Sequence, residues 1–126
     1  MRMPTAEHPA PERILLHLSD THLRAGAPML FDAIDGRAHL ARALAAIESS
    51  GVRPDAIIFT GDLVDLGERR AYADLRALVE PFAQRLDAPV VWVMGNHDDR
   101  SAFRGELWDD PDPDHRPVDR VDEFDG

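Results

Sequence analysis

Three short segments carry side chains able to hold divalent metal ions. They are Ser19-Asp20-Thr21-His22, Gly61-Asp62-Leu63-Val64-Asp65 and Gly95-Asn96-His97-Asp98. The chain has no cysteine, so a metal here would be bound through oxygen and nitrogen. Asp20 and His22 are two residues apart; on a strand that stays extended past Ser19 they point to the same side and can close on one ion. Gly61 and Gly95 permit sharp turns and close backbone approach just before Asp62 and Asn96. Taken singly, each residue has an ordinary structural explanation. An Asp or Asn after a strand is turn or helix-cap chemistry, and a single histidine is a hydrogen-bonded loop residue. What points to a metal site is that three successive segments deliver such residues together.

The elements around the segments are those that would bring them together. Arg13 to Leu18, Asp55 to Thr60 and Pro89 to Met94 are short, nearly continuous apolar runs, which read as buried parallel strands. Between the first two, Leu40, Ala43, Leu44 and Ile47 recur at helical spacing, with Gly51 and Pro54 as a stop. Between the second and third, Ala71, Leu75, Leu78, Val79, Phe82 and Leu86 form a 3.6-residue stripe, with Pro81 as a kink or local distortion. The fold class expected is therefore α/β, a parallel βαβαβ unit with right-handed crossovers. In such a sheet, ligands collect outside the carboxyl ends of the strands, where all three segments lie.

Residues 1–12, with Pro4, Pro9 and Pro11, read as a disordered lead-in, and 13–108 as the partial domain. A short helix is expected through Phe103 and Leu107. Residues 109–126 read as a solvated acidic tail rich in Pro and Asp, in which Val118 to Phe124 resembles a strand arriving at an Asp125-Gly126 hairpin turn.

At 126 residues the chain has room for one domain. No apolar run approaches the ~20 residues of a membrane helix, and the first residues do not read as a secretory signal, so the expected location is cytoplasmic. The net charge of -10 argues against nucleic acid or an anionic membrane as partner. Most of that charge lies in Asp98 to Gly126, which holds 11 acidic and 4 basic residues. All 14 basic residues are Arg, from which no function follows.

The three segments resemble the leading motifs of the calcineurin-like metallophosphoesterases, Asp-x-His, Gly-Asp-x-x-Asp and Gly-Asn-His-Asp or Glu, in order and at suitable intervals. The wording around them, from Arg13 to Arg100, looks most like the bacterial class III 3′,5′-cyclic-nucleotide phosphodiesterases. The resemblance implies a four-layer α/β/β/α sandwich, of which this chain supplies the N-terminal half. It implies two divalent ions, Mn²⁺, Fe or Zn²⁺, with Asp20 and His22 as ligands of the first, Asp62 bridging both, and Asn96 binding the second through its amide oxygen. Ions ~3.5–4 Å apart lower the pKa of a bridging water and clamp a phosphate for in-line attack. His97 then faces the substrate, stabilises the phosphoryl charge and helps protonate the leaving oxygen. Asp65 and Asp98 orient backbone or ring nitrogens from behind the ligands. The other histidines, His8, His17, His39 and His115, are read as having no part in the site, with His17 packed in the first strand.

The resemblance also implies further histidine ligands, one in a later loop and two in a Gly-His-x-His motif, and neither occurs within these residues. The expectation is a truncated or split hydrolase, weakly active or inactive alone, completed by a C-terminal half or a second copy. If both helices cover one face of the sheet, the other is left bare. The substrate implied is a small phosphodiester, most closely cyclic AMP. The alternatives are a glycerophosphodiesterase or general phosphodiesterase, and a non-catalytic interaction module that keeps half a metal site. A phosphoprotein phosphatase fits less well, because Leu66 stands where that motif has a phosphate-binding Arg.

Overall fold

A computed structural model describes residues 9–25, 35–111 and 113–123. The three apolar runs form strands β1 (Leu15–Ser19), β2 (Ala56–Thr60) and β3 (Val90–Val93), and the stripes form helices α1 (Gly36–Ser49) and α2 (Arg69–Leu86). A shorter helix, α3 (Arg100–Leu107), follows β3. The strands pair in parallel in the order β1-β2-β3, with Leu16 opposite Ile57 and Phe59 opposite Trp92. This is the βαβαβ unit that the hydrophobic pattern predicts.

The helix ends follow from local chemistry. Asp35 caps α1 by accepting the Ala38 N–H at 3.0 Å, and Asp99 caps α3 by accepting the Ala102 N–H at 2.8 Å. Beyond α1, Gly51 has a φ of +76°, a left-handed conformation that costs glycine little. Pro81 is exposed inside α2, which continues past it to Leu86.

Strands advancing in one direction through right-handed crossovers place α1 and α2 on the same side of the sheet. Leu16, Leu18, Ile57, Phe59, Val90 and Trp92 face that side. There they meet Leu40 and Leu44 of α1, Leu75, Val79 and Phe82 of α2, and Phe103 of α3. Phe59 and Trp92 stack with ring centroids 5.0 Å apart. Each fully buried Leu, Val or Phe contributes on the order of 1.5–3 kcal/mol, so this one layer is the main source of stability. Among the described residues the opposite face is open, with Leu15 62% and Val93 44% exposed.

Three expectations are corrected. His17 is exposed rather than packed, because the odd positions of β1 point away from the helices; its Nε2 lies 2.7 Å from Thr60 Oγ1. The chain after α3 is not simply solvated. Asp109 pairs in a fork with Arg76, Arg104 donates to the Pro117 carbonyl, and Arg120 lies 4.5 Å over the Trp108 ring. Hydrogen bonding to Arg76 holds the Asp109 carboxyl below its usual pKa. Residues 118–123 form no strand, since a lone extended segment without a paired neighbour has nothing to satisfy its backbone. Residues 124–126, and most of the lead-in with His8, lie outside the described residues. Among the described residues no helix is long and apolar enough to cross a membrane.

Candidate metal centre

The loops after β1, β2 and β3 meet at the carboxyl edge of the sheet. The loop after β1 runs beside the loop after β2: Asp20 N–H donates to the Thr60 carbonyl at 3.2 Å, His22 N–H to the Asp62 carbonyl at 3.0 Å, and Leu23 N–H to the Leu63 carbonyl at 3.1 Å. Asp20, His22 and Asp62 all have positive φ, at +55°, +45° and +48°. The expectation that Asp20 and His22 share a side through an extended strand is therefore corrected. The strand ends at Ser19, and left-handed turns aim the two side chains instead. Non-glycine residues in this region carry strain, which the surrounding ladder of hydrogen bonds holds in place.

The result is a tight cluster. His22 Nε2 lies 3.8 Å from Asp20 Oδ1 and 3.7 Å from Asp62 Oδ2. Those separations are close to the ~3–3.5 Å edge of a coordination polyhedron with bonds of about 2.1 Å. Asp20, His22 and Asp62 can thus share one cation through oxygen and nitrogen donors.

The third loop closes on Asp62. His97 N–H donates to Asp62 Oδ1 at 2.8 Å, and one terminal atom of the Asn96 carboxamide lies 3.0 and 3.1 Å from the two Asp62 oxygens. Presented as nitrogen, that atom donates to Asp62; turned over, the carboxamide presents oxygen at the same place. Such closeness requires Gly95, where a Cβ would fall 2.2 Å from Asp62 N.

Asp65 and Asp98 stand behind the cluster. Asp65 Oδ1 is 3.3 Å from His22 Nδ1 and 3.7 Å from His97 Nδ1, and the Asp65 carbonyl accepts from His97 Nδ1 at 3.0 Å. That bond, together with the charges of Asp62, Asp65 and Asp98, raises the His97 pKa above the ordinary histidine value. His22, Asp65 and His97 form a second group of cation-ligating type. The Asp98 carboxylate accepts from the backbone N–H groups of Leu63, Val64 and Gly95.

All seven residues singled out in the sequence are therefore in one place. The sequence reading passed over Tyr72, a buried residue whose hydroxyl donates to Asp98 at 2.8 Å. A tyrosine in the first turn of a helix, on its apolar stripe, was the available signal, because a buried phenol must find a partner. His39 and His115 are exposed, and neither belongs to either cation-ligating group.

A model of the calcineurin-like phosphoesterase family matches residues 14–125. The chain is 54% identical, over 125 residues, to a cAMP/cGMP dual specificity phosphodiesterase of Mycobacterium tuberculosis, covering 99% of this chain and 39% of that protein. It is 53% identical to a probable cyclic nucleotide phosphodiesterase of Rhodococcus erythropolis, covering 100% of this chain and 41% of that one. A glycerophosphodiester phosphodiesterase of Enterobacter lignolyticus is 33% identical over 90 residues, 71% of this chain and 31% of its own length. The chain thus spans about two fifths of the length of the first two relatives. A family match across nearly the whole chain, on a parallel sheet whose carboxyl edge gathers these loops, makes this protein a member of the calcineurin-like phosphoesterase family.

Proposed function

We propose that the protein is a metal-dependent phosphodiester hydrolase acting on 3′,5′-cyclic nucleotides, and that this chain supplies one side of its centre. The observation that carries the reading is the convergence of Asp20, His22 and Asp62, with Asn96 and His97 brought onto Asp62 by the third loop. The similarity to cyclic-nucleotide phosphodiesterases supports the substrate class.

Metal dependence follows from charge. Asp20, Asp62, Asp65 and Asp98 line one edge, and these carboxylates would repel a phosphodiester anion unless cations reverse the local field. Asp20, His22, Asp62 and Asn96 would hold the divalent ions. When bound, the ions supply Lewis acidity that makes water a nucleophile near neutral pH and draws in the phosphoryl oxygens. His97 is exposed, as a residue that meets the substrate would be, and its raised pKa suits a proton donor. In the hydrolysis, water would lose one proton to solvent as its oxygen bonds to phosphorus, the P–O bond to the ribose oxygen would break, and His97 would pass its proton to that oxygen and regain one from solvent. Asp65 accepts from His22 Nδ1, which turns Nε2 toward Asp20 and Asp62.

A glycerophosphodiester substrate is the second reading, favoured by the 33% identical relative. The test pairs Mn²⁺ titration of the chain with turnover of cyclic AMP, cyclic GMP, a glycerophosphodiester and a nitrophenyl phosphodiester. The substrates are tried on these 126 residues and on a polypeptide extended to the relatives' length. Weak Mn²⁺ binding abolished by Asp62→Ala, with little turnover until the chain is extended, is the expected result. Metal binding indifferent to Asp62→Ala would sink the proposal, and inactivity of the extended protein would favour a binding module. Robust hydrolysis by these residues as a monomer would overturn the assignment of only one side of the centre.

A further inference from the structure

Tyr72 is fully buried in the first turn of α2, yet its hydroxyl reaches the loops of the metal centre. It donates to Asp98 Oδ1 at 2.8 Å and accepts the Asp99 N–H at 2.9 Å. Oδ1 also accepts the Val64 N–H at 3.1 Å, while Oδ2 accepts Leu63 N–H at 3.1 Å and Gly95 N–H at 2.7 Å. Each oxygen of Asp98 therefore has two donors. Leu63 and Val64 directly follow Asp62, and Gly95 directly precedes Asn96, so one carboxylate ties the loop bearing Asp62 to the loop bearing Asn96 and His97. The tyrosine hydroxyl anchors that tie to the helical layer.

We infer that Tyr72 is a positioning residue for the metal centre: its hydroxyl fixes the Asp98 carboxylate, and through it the spacing of Asp62 from Asn96 and His97. The metal part of this inference rests on the hydrolase reading above; the positioning of the loops does not. Filling space does not account for the hydroxyl, because phenylalanine fills nearly the same volume without a polar atom to satisfy. Burial, then the negative charge of Asp98, pushes the phenol well above its ordinary pKa, so it stays protonated and donates across the neutral range. A hydrogen bond to an ionised carboxylate is stronger than a neutral one.

The test is Tyr72→Phe in the metal-free chain, followed by backbone hydrogen exchange. Exchange at Leu63, Val64, Gly95 and Asp99 should quicken by about tenfold, while Ile57 and Val79 in the core change little. Uniform acceleration would make Tyr72 a packing residue only, and unchanged loops would also overturn the inference. Zn²⁺ affinity should fall at least about tenfold in the same variant. The chain has one tyrosine, so 3-fluorotyrosine labels this position alone without removing the hydroxyl, even if Tyr72→Phe folds poorly. Its fluorine resonance should move as Zn²⁺ is added, and a resonance unmoved at saturation would contradict the coupling. If the wild-type chain binds no Zn²⁺, the hydrolase reading falls, while the exchange pattern still decides the role of Tyr72.

Discussion

The Asp65 carboxylate lies behind His22, with Oδ1 3.3 Å from Nδ1. A carboxylate only accepts, so this contact assigns the imidazole proton to Nδ1 and leaves the lone pair of Nε2 facing Asp20 and Asp62. The same Asp65 reaches the third loop through its carbonyl, which accepts from His97 Nδ1. One residue thus orients two imidazoles that are proposed to do different work.

Removing the Asp65 carboxylate should therefore act on binding before folding. Asp65→Ala is expected to lower divalent-metal affinity by about 10–100-fold, the usual cost of losing a group behind a ligating histidine. Isothermal titration with Mn²⁺ measures it. An affinity equal to that of the unchanged chain would show that His22 needs no such support.

Gly95→Ala should be far more damaging than its size suggests. The new methyl would stand 2.2 Å from Asp62 N, 2.4 Å from Asp62 Oδ1 and 2.8 Å from Gly61 Cα, and that backbone leaves little room to give. A cost of about 1–3 kcal/mol follows, with a drop of several degrees in Tm and loss of metal binding. Gly61→Ala is the informative comparison, because its Cβ meets nothing within 4 Å and only the left-handed backbone at φ +60° is strained. It should cost about 1–2 kcal/mol. Equal metal affinity in Gly95→Ala and the parent chain would refute the close approach of the two loops.

In the metal-free protein His97 should titrate above the ordinary histidine value, chiefly because its ring donates to the Asp65 carbonyl, with Asp62, Asp65 and Asp98 adding their charges. A raised folded-state pKa means that the charged ring stabilises the fold. That contribution is present in full below the unfolded value near pH 6.5 and is lost as the pH rises through the folded value. His97→Asn should accordingly lower Tm at mildly acid pH and leave it nearly unchanged in the alkaline range. Ring-proton NMR gives the midpoint directly, and one at or below 6.5 would contradict the geometry.

The open face of the sheet should make the chain associate with itself. Leu15 and Val93 are 62% and 44% exposed on a surface that also carries Ile58 and Val91. Apolar patches of this kind drive association. Light scattering should show a mass that rises with concentration, and Leu15→Lys combined with Val93→Lys should reduce it. A strictly monomeric parent chain at high concentration would show that this face is covered.

The sequence by itself determined the three strands, the helices between them, and which residues could serve as ligands. Apolar runs and 3.6-residue stripes record burial one element at a time, and parallel strands must send their following loops to one edge. Asp20, His22, Asp62, Asn96 and His97 were legible on those grounds.

Tertiary structure decided how they meet. Asp and His tolerate the left-handed turns at Asp20, His22 and Asp62 better than most residues, but local preference does not impose them, and they stand because neighbouring loops bond to their backbone. The Tyr72 hydroxyl and Asp98 are 26 residues apart, and Asp98 and the Leu63 amide 35. No periodicity within a segment encodes such a meeting, because it exists only once α2 has packed on the sheet. The course of residues 113–123 over α3 belongs to the same class. Its Asp and Pro composition reads as solvated, but Arg100 and Arg104 of α3 donate to the His115 and Pro117 carbonyls, and Arg120 finds the Trp108 ring.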